Sequence, residues 1–530
     1  MTVPMTGNGP RRDRRRTMDD GTLKDPSSAK TFPQFVRAAA ACFGDAVAIT
    51  MKGQTIPDTA ASFVELDRRS AELARGLVAL GAGKGSRIGF LYCNGPDFAV
   101  TMAAIARIGA VAIPLSTLLK SNELVRVLRQ CDVAGLIVQR SLLGHDYVER
   151  LCEALPELLE TRDPDLRIAR VPFLRWVFST GDALPPTIRD LGFLTDAAAG
   201  VPEELLLAIE AEVHPTDQMV EIYTSGSMAL PKGVKHNHGP VIARSLFLKN
   251  MLKLERGREI AVPLPMFWVG GLTMYLVADW AAGAVSACSE ANPTNSRMSM
   301  GTVLAADDMA RMPRNAVIWS LGMSETLGPY SYGDELRAPG YPLCAPIDHV
   351  AEGFEVRVAD HAGTLVPDGG IGEIQVRGYG LTTGLHKVEQ AQNFTPDGFY
   401  RTGDLGEVKG ARILFVGRNG DMIKTASANV SPAEVEMEMQ ALPGVHSAYV
   451  VGIPDKERGQ LLVAAVVPRE GAELDFDAVQ AELRGKLSSY KVPRAYVAIT
   501  REEVPMLPSN KVSRRLIEQL MAERLGRSAN

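Results

Sequence analysis

Between Ser62 and Val138 the chain alternates helical apolar spacing with short, wholly apolar runs. Leu66, Leu73, Leu77 and Leu80 fall on one helical face, Ser62 and Glu65 stand at capping-box spacing, and Gly81 supplies a stop. RIGFLYC (87–93) reads as a buried strand, FAVTMAAIARIG (98–109) as a helix and AVAIPL (110–115) as a second strand. LRQCDVAGLIV then repeats the helix-then-strand order. Strands joined through helices form βαβ units, so an α/β fold with a mostly parallel sheet is predicted. MVEIYT (219–224) fits the same sheet. The loop after it lies at the carboxyl end of a strand, where open α/β sheets bind ligands.

The texture changes after Gly372. EIQVR (373–377) alternates like a half-exposed antiparallel strand, NFTPDGFYRTGDLG reads as a turn-rich connection, and ARILFVG (411–417) as a short strand. Ser431-Pro432 opens a helix in which Glu434 completes a second capping box. VHSAYVVGI and LLVAAVV are strands, and Asp475 starts a further helix. A chain of 530 residues exceeds one ordinary core. The division predicted is a basic tail (1–25), a large domain (26–417), a hinge (418–420) and a small α+β domain (421–530).

Several function classes are excluded at this level. A net charge of −5 gives no field for nucleic acid. The 6 cysteines include no C-x-x-C pair, which argues against a disulfide framework or zinc knuckle and for a reduced, cytoplasmic setting. No uncharged apolar run reaches the roughly 18 residues of a membrane span. The cluster Arg11, Arg12, Arg14, Arg15 and Arg16 lacks the apolar core of a secretory signal and reads as part of a solvated, disordered tail.

Five segments carry candidate chemistry. YTSGSMALPKG (Tyr223–Gly233) lacks Walker order, because Lys232 is followed by Gly233 rather than Ser or Thr. Alone it is either an anion nest completed by Lys232 or an ordinary surface loop. WSLGMSETLG (319–328) puts Glu325 after a strand and a tight glycine turn, a setting for magnesium. YRTGDLG (400–406) puts Asp404 in a turn, as an acceptor for ribose hydroxyls. FVGRNGDMIK puts Arg418 at the domain boundary, and PSNKVSRR puts Lys511 in a loop before the last helix. Each of these residues taken singly also reads as a solvated surface group.

Taken in order, YTSGSMALPKG, GMSE, GEIQVRG, YRTGDLG, FVGRNGDMIK and PSNK closely resemble the successive motifs of the acyl-adenylate-forming superfamily. That superfamily holds acyl- and aryl-CoA synthetases, peptide-synthetase adenylation domains and luciferases. The resemblance runs from about Thr31 to Leu516, includes LVALGAGKGSRIGFLYCNGPDF and LSSYKVPR (487–494), and is strongest to a bacterial-type acyl-CoA synthetase.

The resemblance implies a role for each matching residue. Thr224, Ser225, Gly226, Ser227 and Lys232 belong to the loop that holds the β- and γ-phosphates of ATP. Glu325 binds Mg2+, and Ser324 sits beside the α-phosphate. Gly322, Asp404 and Arg418 hold the AMP moiety, and Lys511 bridges substrate carboxylate and α-phosphate. Trp268, with Gly270 and Met323, lines the acyl pocket, although Trp268 also reads as a core aromatic. Gly420 takes the hinge position about which the small domain rotates.

The chemistry suits these roles. A carboxylate attacking the α-phosphate brings two anions together, and preplaced cations and N–H donors lower that barrier. ATP, Mg2+ and coenzyme A are the implied cofactors, and a carboxylic acid is the substrate. No nucleic acid or membrane partner is expected; a homodimer is left open.

The sequence also departs from the family pattern. Ser227-Met228-Ala229 replaces the usual Thr-Thr-Gly, Leu321 replaces a tyrosine, Ala426-Ser427 stands where glycines are frequent, and Asn510 precedes the late lysine in place of glycine. Between PMFWVGGL and GMSE the chain is shortened (273–320), and Met300 to Leu304 is the best stand-in for the adenine-binding segment. The function expected is an ATP-dependent acyl-CoA ligase for a fatty, alicyclic or aromatic acid. The alternatives are a ligase that loads a carrier protein in trans and a degenerate nucleotide- or acyl-binding protein.

Overall fold

The structure, a computed structural model, describes residues 25–160, 163, 165–224, 232–290, 319–333, 347, 349–360, 362–418, 423–425, 428–505 and 512–527. The basic cluster of the tail, the adenine-segment stand-in at 300–304, Ser225, Gly226, Ser227, Gly420 and Lys511 lie outside the described residues. Asp25, placed in the tail by sequence, instead caps a short turn over Pro26–Ser28.

The predicted βαβ rhythm builds an eight-stranded sheet. Its order is Gly384–Leu385, Lys232–Asn237, Gln218–Thr224, Val111–Pro114, Arg87–Leu91, Gly135–Val138, Trp176–Ser179 and Ile188–Asp190. Strands Val111–Pro114, Arg87–Leu91, Gly135–Val138 and Trp176–Ser179 pair in parallel, while Lys232–Asn237 runs antiparallel to Gln218–Thr224. The helix Phe63–Ala79 starts at the expected capping box, with Glu65 N donating to Ser62 Oγ at 3.2 Å and Ser62 N to Glu65 Oε2 at 2.9 Å. Gly81 follows it with φ of 81°, a left-handed value that glycine adopts without strain.

Every residue of helix Pro96–Arg107 except Asp97 is buried, so the charge of Arg107 must be compensated internally. Arg107, fully buried, meets Glu210 Oε1 at 2.6 Å, Ser70 Oγ at 3.0 Å and the carboxylate of Asp67. Glu210 is shared with Arg37 at 2.5 Å.

A second sheet has the order Glu259–Ala261, Val285–Ser289, Val47–Lys52 and Thr59–Ser62. The described part of the shortened region supplies its strand Val285–Ser289, which pairs in parallel with Val47–Lys52. Beyond it come a small sheet (Trp319–Met323, Gly328–Gly333, His349–Val350) and an antiparallel sheet of Phe354–Ala359, Ile371–Gly378, Tyr400–Lys409 and Arg412–Arg418. The turn-rich reading of YRTGDLG is corrected here. Asp404 lies inside the strand Tyr400–Lys409, not in a free turn.

The C-terminal part has its own five-stranded sheet, formed by Ile423–Thr425, Ala428–Val430, Val445–Asp455, Gly459–Pro468 and Ala495–Ala498. Helices Pro432–Gln440, Phe476–Lys486 and Arg514–Arg524 cover it and enclose separate apolar cores. Asp475 caps its helix as expected, accepting from Asp477 N at 3.0 Å and Ala478 N at 3.3 Å. The capping box expected of Ser431 and Glu434 does not form. The Glu434 carboxylate is taken by Lys491 Nζ at 2.8 Å, an ion pair stronger than a cap bond.

Among the described residues, no helix is long and apolar enough to cross a membrane. Cys42, Cys93, Cys131, Cys152 and Cys288 are free thiols.

Candidate active site

Strands Gln218–Thr224 and Lys232–Asn237 form a hairpin paired through to its end, where Thr224 faces Lys232 and Tyr223 faces Gly233. Thr224 and Lys232, which flank residues 225–231, are therefore held at paired positions. Beneath the hairpin lies Glu221, fully buried, with Arg87 at 2.8 Å and Gln218 Nε2 donating at 3.1 Å. A Cβ on residue 233 would lie 2.4 Å from Glu221 Oε1 and 2.7 Å from the Tyr223 ring, so a side chain there would displace one of them.

The segment GMSE closes a strand with a tight reversal. Trp319–Met323 runs antiparallel to Gly328–Gly333 through a single turn of 3-10 helix at Ser324–Thr326. Leu327 and Gly328 take positive φ of 53° and 98°, and Thr326 Oγ1 donates to Gly328 O at 2.7 Å. A Cβ at Gly322 would lie 2.5 Å from Gly328 O, so a side chain there would break the reversal. The turn leaves Met323 and Ser324 half-buried and Glu325 buried.

Three long-range bonds hold this turn. Tyr400 donates its hydroxyl to Glu325 Oε1 at 3.0 Å. Thr382 N donates to Glu325 O at 2.7 Å, and Thr382 Oγ1 contacts Lys235 O at 2.8 Å. His236, from the hairpin, lies with Nε2 at 2.7 Å from Ser324 O. A carbonyl oxygen only accepts, so His236 carries its proton on Nε2. Burial pushes the His236 pKa down to about 4, which keeps the ring neutral.

Asp404 is placed by the strand that also carries Tyr400. The register against Ile371–Gly378 shifts between Glu373 and Gln375, a bulge of the kind that re-aims side chains. Gly403, at φ of 74°, donates its N–H to Glu373 Oε1 at 3.1 Å, and Asp404 N donates to Thr402 Oγ1 at 3.0 Å. Asp404 is buried and faces Arg418 in the ladder with Arg412–Arg418. Glu325 and Asp404 are thus joined through one strand.

Trp268 is half-buried, edge-on to Phe267 at 5.6 Å, and packs against the main apolar core. Asn94 holds the segment before it, donating to Leu264 O at 2.9 Å and accepting from Met266 N at 2.7 Å. After Trp268 comes a π-helical stretch, Gly270–Val277. Such widened turns are rare and concentrate at functional sites. A Cβ at Gly270 would lie 2.8 Å from Leu264 Cδ1.

Residues 36–305 match the family described as AMP-binding enzyme, and residues 434–511 match the AMP-binding enzyme C-terminal domain. The chain belongs to the AMP-binding enzyme family. It is 29% identical to a feruloyl-CoA synthase of Amycolatopsis, over 86% of this chain and 92% of that one. It is 26% identical to an indoleacetate–CoA ligase of Aromatoleum aromaticum, over 88% and 94%. The fold is shared with an o-succinylbenzoate CoA synthetase of Bacillus subtilis (TM-score 0.68, 19% identity, 91% and 98% covered). It is also shared with the amide bond synthetase McbA of Marinactinospora thermotolerans (TM-score 0.71, 22% identity, 92% and 99% covered).

Sequence reading of this AMP-binding enzyme marked Gly322, Met323, Ser324 and Glu325, which share one strand end and turn, and Asp404, which lies on the strand whose Tyr400 bonds Glu325. It missed His236, Thr382 and the role of Tyr400, which hold the marked residues in place. Tyr400 stood inside a quoted motif; His236 and Thr382 carried no local signal. For Arg418 the structure describes the backbone only, and Lys232 is half-buried at the hairpin's end.

Proposed function

We propose that this ligase activates a carboxylic acid with ATP, forming an acyl-AMP and pyrophosphate, and then passes the acyl group to coenzyme A with release of AMP. The observation that carries the reading is the Tyr400–Glu325 bond, because the strand that supplies it also places Asp404.

The residues divide the work as follows. Loop 225–231, clamped between Thr224 and Lys232, holds the β- and γ-phosphates, with Ser225, Gly226 and Ser227 as donors. Asp404 accepts from the ribose hydroxyls, with Gly322 and Arg418 beside the nucleotide. Ser324 lies near the α-phosphate. Lys511 holds the attacking carboxylate against the α-phosphate and offsets the charge that gathers there.

Glu325 suits a hard dication: it is a buried carboxylate whose described side-chain partner is a neutral hydroxyl. Mg2+ bound by Glu325 would supply charge neutralisation for the triphosphate.

The acid has an apolar body, fatty, alicyclic or aromatic. Trp268, Gly270 and Met323 line its pocket, and the relatives named for feruloyl and indoleacetyl substrates favour an aromatic acid. The small C-terminal domain moves about Gly420 between the two half-reactions.

A Lys511→Ala variant tests the assignment of steps. It is expected to lose adenylation while keeping most thioester formation from supplied acyl-AMP. Equal loss of both steps contradicts the role of Lys511. CoA-dependent AMP release, assayed beside a phosphopantetheine carrier protein, decides the acceptor.

A further inference from the structure

The two parts of the chain meet through a buried charge cluster that the proposed chemistry does not use. Helix Ser121–Gln130 of the large domain presents Glu123 and Arg126 one turn apart, with opposite charge. Each meets its complement on the small domain. Glu123 Oε1 accepts from Lys491 Nζ at 2.7 Å, and Arg126 pairs with Glu438. Lys491 is held at the same time by Glu434 Oε1 at 2.8 Å. Ser488, also from the small domain, donates to Glu123 Oε2 or to Leu118 O, each at 2.9 Å. Glu123, Lys491, Glu434 and Ser488 are all buried.

Two physical points give this cluster a task beyond adhesion. Buried ion pairs contribute little net stability, since desolvation offsets attraction, but they penalise any arrangement that leaves a charge unpaired. The polarity is also reciprocal: acid then base on the large domain, base and acid on the small one. Displacing the small domain would part Glu123 from Lys491 and Arg126 from Glu438, so other registers leave charges without their partners.

Glu123 is in addition prepared for its partner. Its Oε2 accepts from Lys120 N at 2.9 Å and so caps its own helix. That bond lies within the large domain and survives undocking, so the carboxylate is already aimed when Lys491 arrives.

We propose that Glu123 is a positioning residue that, through Lys491 and with Arg126–Glu438 as a second point, fixes the small domain in one docked orientation. Lys491 is the movable part. Both points must separate for the domain to turn, so release is a single step.

Hydrogen exchange of the full-length protein, read by mass spectrometry, tests this. Glu123→Gln keeps a helix-capping acceptor but removes the charge. Exchange is expected to quicken about tenfold or more in both 118–130 and 486–494, with strands 445–468 unchanged. Arg126→Glu is expected to act in the same way, and Arg126→Glu combined with Glu438→Arg to restore slow exchange. Unchanged exchange in Glu123→Gln overturns the proposal. Quickening confined to 118–130 (a lost cap) or spreading into 445–468 (a lost fold support) overturns it too, as does failure of the charge swap to rescue. No substrate enters the measurement, so a protein without ligase activity still decides it.

Discussion

Tyr400 and Glu325, 75 residues apart, share one hydrogen bond of 3.0 Å between buried side chains. The bond couples the strand of Asp404 to the turn of Ser324 and Glu325, and through His236 to the hairpin that clamps loop 225–231. Three chain segments distant in sequence are thereby joined in one hydrogen-bonded frame.

Removing that bond tests the frame. Tyr400→Phe leaves a buried carboxylate short of a donor, which costs about 1–3 kcal/mol. Lower stability in chemical denaturation is expected. Magnesium titrations of pyrophosphate exchange are expected to show roughly tenfold more Mg2+ at half-maximal rate, since a loosened Glu325 is a less organised ligand. An unchanged magnesium dependence contradicts the role given to Glu325.

Gly233 tests the packing under the hairpin proposed to flank the phosphate-binding segment. An alanine Cβ there meets Glu221 Oε1 at 2.4 Å, so the buried Glu221 carboxylate would have to shift from its bonds to Arg87 and Gln218. Gly233→Ala is expected to cost about 1–3 kcal/mol and to raise the KM for ATP more than the KM for the acid. Equal effects on both would separate the hairpin from phosphate binding.

Much of the architecture was legible because its causes are local. The Ser62 box, the Asp475 cap and the βαβ order depend on neighbours within a few residues or on periodicity. The failures have distant causes. Glu434 stands at cap spacing, yet Lys491, 57 residues on, takes its carboxylate. Asp404 looked like a turn residue because Gly403 does have turn-like φ, but pairing with Ile371–Gly378 converts the turn into a bulge within a strand. His236 could not be singled out, since its partner carbonyl at Ser324 is 88 residues away.

Arg107 gives the largest expected change in stability. Replacing it by Met leaves Asp67 and Glu210 short of their buried cation, a loss of about 3–5 kcal/mol. Guanidinium denaturation checks the value. Arg37 remains on Glu210, so Asp67 is the carboxylate left without its cation, and Arg107→Met together with Asp67→Asn is expected to recover part of the loss.

Stability is expected to fall with acid before the carboxylates titrate. Burial lowers His236 to about 4 and His238 to about 3. Their unfolded forms take up protons near pH 6.5 while the folded forms do not. The stabilisation is complete above that pH and is lost as pH falls toward 4, by about 1.4 kcal/mol per unit for each group. Denaturation midpoints at pH 7.5 and 5.5 measure it. His236→Gln, whose amide can still donate to Ser324 O, is expected to flatten the slope by one group; an unchanged slope removes His236 from this role.

The central claim is that this chain makes an acyl-AMP. Exchange of labelled pyrophosphate into ATP, run with wild-type protein over fatty, alicyclic and aromatic acids, measures that step alone. Exchange that requires both an acid and Mg2+ is the expected result, strongest with an aromatic acid. Absence of acid-dependent exchange across the whole panel, from folded protein that binds ATP, contradicts it.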